Sequence, residues 1–209
     1  MRRSTWSIFF AGSVMVDDPY TYDLTDFARE FTWGMLFWNG AEESAQQMLC
    51  EMLGGEKTAL AIVTDMGNRS LLDGIKAASR ELKDRELRDH LLHFCKGFGI
   101  LLGWRNLYVH GMKAVVIGDT VGLTRKMVGQ IMMLRAGGRL KSINRKVELV
   151  EMQTFVGHAK ALSSYASAIL TALGMEDYGF SEMLEMPPPS LEKPDWPSAP
   201  QNSPYYLQE

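Results

Sequence analysis

Phe27, Phe31, Met35, Trp38, Ala45, Leu49 and Met52 recur at three- to four-residue spacing or its multiples. A helix with 3.6 residues per turn brings such positions to one side, so residues from about Asp23 to Leu53 are expected to form one long amphipathic helix. Asp23 or Thr25 can cap its start, and Gly54-Gly55 stops it. Gly34 and Gly40 inside this stretch cost about 1 kcal/mol each against alanine, which implies that a neighbour packs closely there.

The same periodicity returns twice. Leu87, Leu91, Phe94, Phe98 and Leu102 mark a helix from about Lys83 to His110, ended by Gly111, and Phe155, Ala159, Leu162, Ala166 and Ile169 mark one from about Val150 to Leu173, closed by Gly174. A shorter helix is expected to open at Ser70, with Asp73 completing a capping box, and to run towards Leu82. Ala59 to Val63 is expected to form a helical turn. Between the last two long helices the pattern changes. Ala114 to Ile117 is β-branched, Gln130 to Leu134 precedes Ala136-Gly137-Gly138, and Arg139 to Val147 alternates, which suits a small hairpin. The fold class is therefore mainly α, a bundle of about four helices with a small β hairpin inserted before the last.

Residues 1–23 are expected to be an arm or short strand lying on the helical core. Met1-Arg2-Arg3 before an apolar stretch has the outline of a secretory signal, but Gly12 and Ser13 interrupt that stretch and it lacks leucine. No apolar run reaches the ~18 residues that cross a membrane. Cys50 and Cys95 both fall on apolar stripes, which suits a reducing cytoplasm rather than a disulfide framework or cysteine zinc site. Seven of the eight prolines lie between Pro187 and Pro204, so residues 175–209 read as an extended, proline-rich tail. Trp196, Tyr205 and Tyr206 could fasten it to a protein partner or to the chain's own core; otherwise it stays uninvolved.

The formal net charge of −3 conceals a segregation. From Arg105 to Val147 nine basic residues face one acid, Asp119, for a net +8; the remainder carries 13 basic and 24 acidic residues, a net −11. Such asymmetry favours a polyanionic partner. At the start of the basic segment, and at the end of a predicted helix, stands Arg105-Asn106-Leu107-Tyr108-Val109-His110. An arginine offers a planar fork of donors for phosphate oxygens, a histidine exchanges protons near neutral pH, and an asparagine can orient either the imidazole or a ribose hydroxyl. Together they suit cleavage of RNA by its own 2′-hydroxyl, in which protons move and an anionic phosphorane must be stabilised. Asn106 and His110, four apart, share a helix face, whereas Arg105 and His110 are about 140° apart on an ideal helix. One straight helix does not aim both at one phosphate, so the site needs a distorted last turn or a second subunit across a two-fold axis.

This motif, with four residues between arginine and histidine, resembles that of HEPN proteins, and the helix order over residues 24–174 is similar to theirs. The resemblance implies a metal-independent endoribonuclease without a cofactor, usually a homodimer, often a toxin or phage-defence effector with an antitoxin partner. His110 would transfer protons, Arg105 would stabilise the phosphate and Asn106 would position. Met112 stands where many antitoxin-paired members carry a tyrosine. Candidate RNA contacts are Tyr108, Lys113, Arg125, Lys126, Arg135, Arg139, Lys141, Arg145 and Lys146. Trp104 and Tyr108 could stack on bases, although their spacing also fits a core. The alternative is a non-catalytic HEPN-like module that binds nucleic acid or protein, with His110 as a helix C-cap. His90 and His93 lack a partner cluster for a metal and are expected on a solvated helix face, and His158 is expected to be structural or exposed. No phosphate-loop signature, nucleophile elbow or carboxylate pair stands out.

Overall fold

The computed structural model describes residues 21–117, 126–136, 140–174 and 191–200. Within them the chain is mainly helical: α1 (Leu24–Met52), α2 (Lys57–Thr64), α3 (Asn68–Ser79), α4 (Arg85–Gly111) and α5 (Leu149–Ala172). Asp23 caps α1, its Oδ1 accepting from the Thr25 amide at 2.6 Å. At the other end Gly54 and Gly55 have φ of 99° and 69°. That left-handed pair lets the Gly55 amide reach the Cys50 carbonyl (3.0 Å) and the Gly54 amide the Glu51 carbonyl (2.9 Å), closing the helix as a Schellman motif. Asp84 opens α4, accepting from the amides of Glu86 (2.9 Å) and Leu87 (3.1 Å). The expected capping box at Ser70 is not formed. Gly67, extended at ψ 153°, precedes α3, so Ser70 lies inside its first turn.

α1 and α5 run side by side in the same direction, while α4 runs antiparallel to α5. The close approach expected at Gly34 is present: a Cβ there would stand 2.9 Å from the Phe155 ring of α5, and one at Gly40 would stand 3.1 Å from Ser163 Oγ. The core fills the space between α1, α3, α4 and α5. Trp38 is fully buried, its ring 4.5 Å from Phe98, and Phe94, Met48, Leu71, Ile75, Leu91, Leu101 and Met152 are fully buried in the same core. Its indole N–H donates to Glu42 at 2.9 Å, so the polar edge of the ring is satisfied within the same helix.

The described residues also form an antiparallel sheet of four strands: β1 (Thr21–Asp23), which precedes α1, and β2 (Met112–Ile117), β3 (Lys126–Ala136) and β4 (Leu140–Val147), which lie between α4 and α5. β3 is central. β2 runs along one edge, with Met112 opposite Ile131 and Ile117 opposite Lys126. The other edge is shared, β1 pairing Thr21 to Asp23 with Val128 to Lys126, and β4 pairing from Val147 opposite Gly129 to Leu140 opposite Ala136. The end of the N-terminal arm thus enters the sheet through a contact more than a hundred residues distant, which local patterning does not encode.

Cys50 and Cys95 are both buried free thiols, and burial pushes Cys95 up to about 12. Among the described residues no helix is long and apolar enough to cross a membrane.

Because Trp38 is fully buried against Phe98, Trp38→Ala should lower unfolding free energy by about 3–5 kcal/mol in urea titration. A loss below about 1 kcal/mol would show that the bundle does not depend on this ring.

Candidate functional site

The last two turns of α4 carry the Arg105 to His110 run. Arg105 follows Phe98 by seven residues, which returns a helix to within about 20° of the same direction. It therefore extends the core-facing stripe of α4, and its side chain is half-buried. Its Nη1 donates to Asn106 Oδ1 at 3.1 Å, while Nε is buried with no hydrogen-bond partner among the described residues. An unmet donor on a charged group is costly, so this guanidinium is held in a position that a single neighbouring amide does not satisfy. Asn106 is half-buried, and His110, one turn later on the same face, is exposed in the closing turn. The structure thus keeps Asn106 in contact with Arg105 and puts His110 on the same face as Asn106. It does not turn Arg105 and His110 towards one point.

Tyr108 departs from its expected role as an RNA contact. It is 1% exposed, its hydroxyl donates to Glu151 Oε1 of α5 at 2.8 Å, and its ring lies between Trp104 (5.9 Å, stacked) and the edge of Phe155 (5.2 Å). A ring held on this many sides belongs to the α4–α5 core and offers no face to a base. Trp104 is half-buried, with its indole N–H donating to the Ser198 carbonyl at 3.0 Å.

The basic residues after the motif lie mostly in the sheet. Register sets Lys113 and Lys146 opposite Gln130, and Lys126 opposite Asp23 and Ile117. Arg135 pairs with Lys141, and Arg145 with Ile131. In an antiparallel ladder, positions two apart alternate together, so Lys113, Lys126 and Lys146 belong to one alternation and Arg135, Lys141 and Arg145 to the other. The six do not form one row. Arg125 and Arg139 lie outside the described residues.

His90 and His93 do not sit on a solvated face. His90 is buried, and its Nδ1 lies 2.7 Å from the Tyr165 hydroxyl, whose own hydrogen goes to the His90 carbonyl at 3.2 Å. That arrangement makes Nδ1 the donor. Burial pushes the Tyr165 phenol up, keeping it protonated for this bond. His93 Nε2 donates to the Pro194 carbonyl at 2.8 Å, and its ring stacks on Trp196 at 5.4 Å. His158 is half-buried, and desolvation lowers its pKa. Among the described residues no three His, Cys, Asp or Glu side chains gather as a metal site would require. A Cβ at Gly97 would meet the indole of Trp196, a contact whose only sequence signal is a glycine inside a long helix and a tryptophan far downstream.

Compared with protein-family models, with curated proteins and with solved structures, the chain matches none of them.

Tyr108→Phe should remove about 1–2 kcal/mol of stability in thermal or urea unfolding, through the lost bond to the Glu151 carboxylate. Unchanged stability would show that this bond does not hold α4 to α5.

Proposed function

We propose that this chain is a metal-independent endoribonuclease of the HEPN type that works as a two-fold dimer. The observation that carries the reading is the state of Arg105: its guanidinium is steadied at Nη1 by Asn106, while buried Nε has no partner among the described residues. A guanidinium fixed in place before the substrate arrives suits a phosphate whose charge grows in the transition state. His110, exposed in the closing turn of α4, is the proton-transfer residue. Asn106 is the positioning residue, and the basic sheet segment supplies charge for an RNA backbone.

In the reaction the ribose O2′ loses its proton to one imidazole and attacks the adjacent phosphorus. The P–O5′ bond breaks, and O5′ takes a proton from the acidic partner. The products are a 2′,3′-cyclic phosphate and a 5′-hydroxyl. Arg105 and His110 diverge by about 140° on one helix, so a second copy completes the site and provides the second histidine.

A second reading is a non-catalytic binding module, and one observation favours it: Arg105 continues the buried stripe of Phe98, where an arginine can serve the fold. The two readings separate on turnover. In the first, purified protein cleaves RNA in the presence of EDTA, leaving cyclic phosphate ends. His110→Ala and Arg105→Ala then each lower the rate by about a hundredfold or more at unchanged circular dichroism. Salt-sensitive binding without cleavage, or cleavage that survives both substitutions, overturns the enzyme.

A further inference from the structure

Residues 191–200, part of the proline-rich tail, lie extended along α4. Lys193 Nζ pairs with Asp89 Oδ2, and the Pro194 carbonyl accepts from His93 Nε2 at 2.8 Å. The Trp196 indole N–H donates to the His93 carbonyl at 3.1 Å, and the Ser198 carbonyl accepts from Trp104 Nε1 at 3.0 Å. The partners on α4 advance from 89 through 93 to 104 as the segment advances from 193 to 198. The segment therefore runs parallel to the helix, from Asp89 to Trp104.

The centre of the contact is a slot built for an indole. A Cβ at Gly97 would stand 2.2 Å from Trp196 Cε2, and the three heavy atoms nearest to it all belong to that indole. His93 stacks on one side of the ring, and Tyr165 tilts against it at 6.2 Å. The segment itself has the pattern of a recognition peptide. Pro194, Pro197 and Pro200 are spaced by three, which is one edge of a polyproline II helix. Pro194, Trp196 and Pro197 are half-buried and Pro200 is buried, whereas Leu191, Glu192, Lys193, Asp195 and Ser198 are exposed. Two of its carbonyls accept hydrogen bonds from ring N–H donors of the groove, the mode by which aromatic-lined grooves hold such peptides.

We propose that this face of α4, from Asp89 to Trp104, is a peptide-recognition site for an extended, proline-flanked tryptophan. The chain fills it in cis with its own Leu191–Pro200, and the same segment presented in trans, as a second copy of this chain would present it, fills it when the slot is vacant. The site rests on the Gly97 slot and the carbonyl-directed donors, and stands whether or not the protein cleaves RNA.

The probe is a fluorescently labelled synthetic peptide with the sequence of residues 191–200, added to the full-length chain and followed by anisotropy. Trp196→Ala empties the slot and should bind the peptide saturably. Wild type should bind it about tenfold more weakly or less, since a tethered competitor is present at an effective concentration on the order of millimolar. Adding Gly97→Ala to the Trp196→Ala chain should abolish binding. That change favours the helix intrinsically, and the three heavy atoms nearest its Cβ all belong to the indole. A second measurement needs no emptied slot. In wild-type protein carrying fluorotryptophan, excess unlabelled peptide should move the Trp196 fluorine resonance to the position seen in Gly97→Ala alone. The proposal is overturned by any one of four results: no saturable binding to Trp196→Ala, equal binding to wild type, binding that survives Gly97→Ala, or a Trp196 resonance that excess peptide leaves in place.

Discussion

The contact of Trp38 with Phe98, rings 4.5 Å apart and both fully buried, holds α1 against α4, and most other features of the molecule take their positions from α4. α5 meets it through Tyr108 and Phe155 at one end and through His90 and Tyr165 at the other. α3 meets it where Cys95 lies beside Leu72, and the tail crosses it over Gly97. A helix covered on this many sides has few faces left for chemistry. That constraint decides the character of the motif at its end. Tyr108 is drawn into the core, Arg105 and Asn106 stay half-buried at the head of the buried stripe, and Val109 and His110 are exposed.

The helices were legible because their information is local. A 3.6-residue stripe, an Asp at the start and a glycine at the stop are enough to bound α1, and even the close approach at Gly34 could be anticipated from a glycine where helix propensity argues against one. The capping box at Ser70 failed for a related reason. Gly67 supplies an extended residue three positions earlier, and the helix begins there, so a correct local signature lost to a neighbouring one.

What was not legible depends on pairing between distant segments. The joining of β1 to β3 brings Thr21 opposite Val128, and neither stretch announces the other. The same blindness affected the site. Arg105, Asn106 and His110 could be placed on helix faces by arithmetic, but the loss of Tyr108 to the core required the position of Glu151, forty-three residues on. The histidines at 90 and 93 looked like a solvated pair because the surfaces that cover them, Tyr165 and the Pro194–Trp196 stretch, come from other parts of the chain.

Two of the interactions that fasten the tail, the Lys193–Asp89 pair and the burial of the Trp196 indole, differ in what they can contribute. The Lys193 ammonium holds Asp89 below the usual carboxylate value, first by its hydrogen bond and then by its charge. A carboxyl lowered in this way contributes above its unfolded pKa, and the contribution is lost as pH falls through the folded one. Near neutral pH the pair is therefore fully formed, but Asp89 is open to solvent, where water and salt screen such a pair and side-chain entropy opposes it. The indole of Trp196 is different in kind. It removes apolar area from water, stacks on His93 and fills a slot that only a glycine leaves open. Hydrophobic burial of this sort does not titrate and is not screened, so the indole anchors the segment and the ion pair sets its direction along α4. Trp104, which receives the far end of the segment, also stacks on Tyr108 and is the residue before Arg105. The tail thus touches the residue that precedes Arg105, and that residue in turn packs on Tyr108 inside the motif.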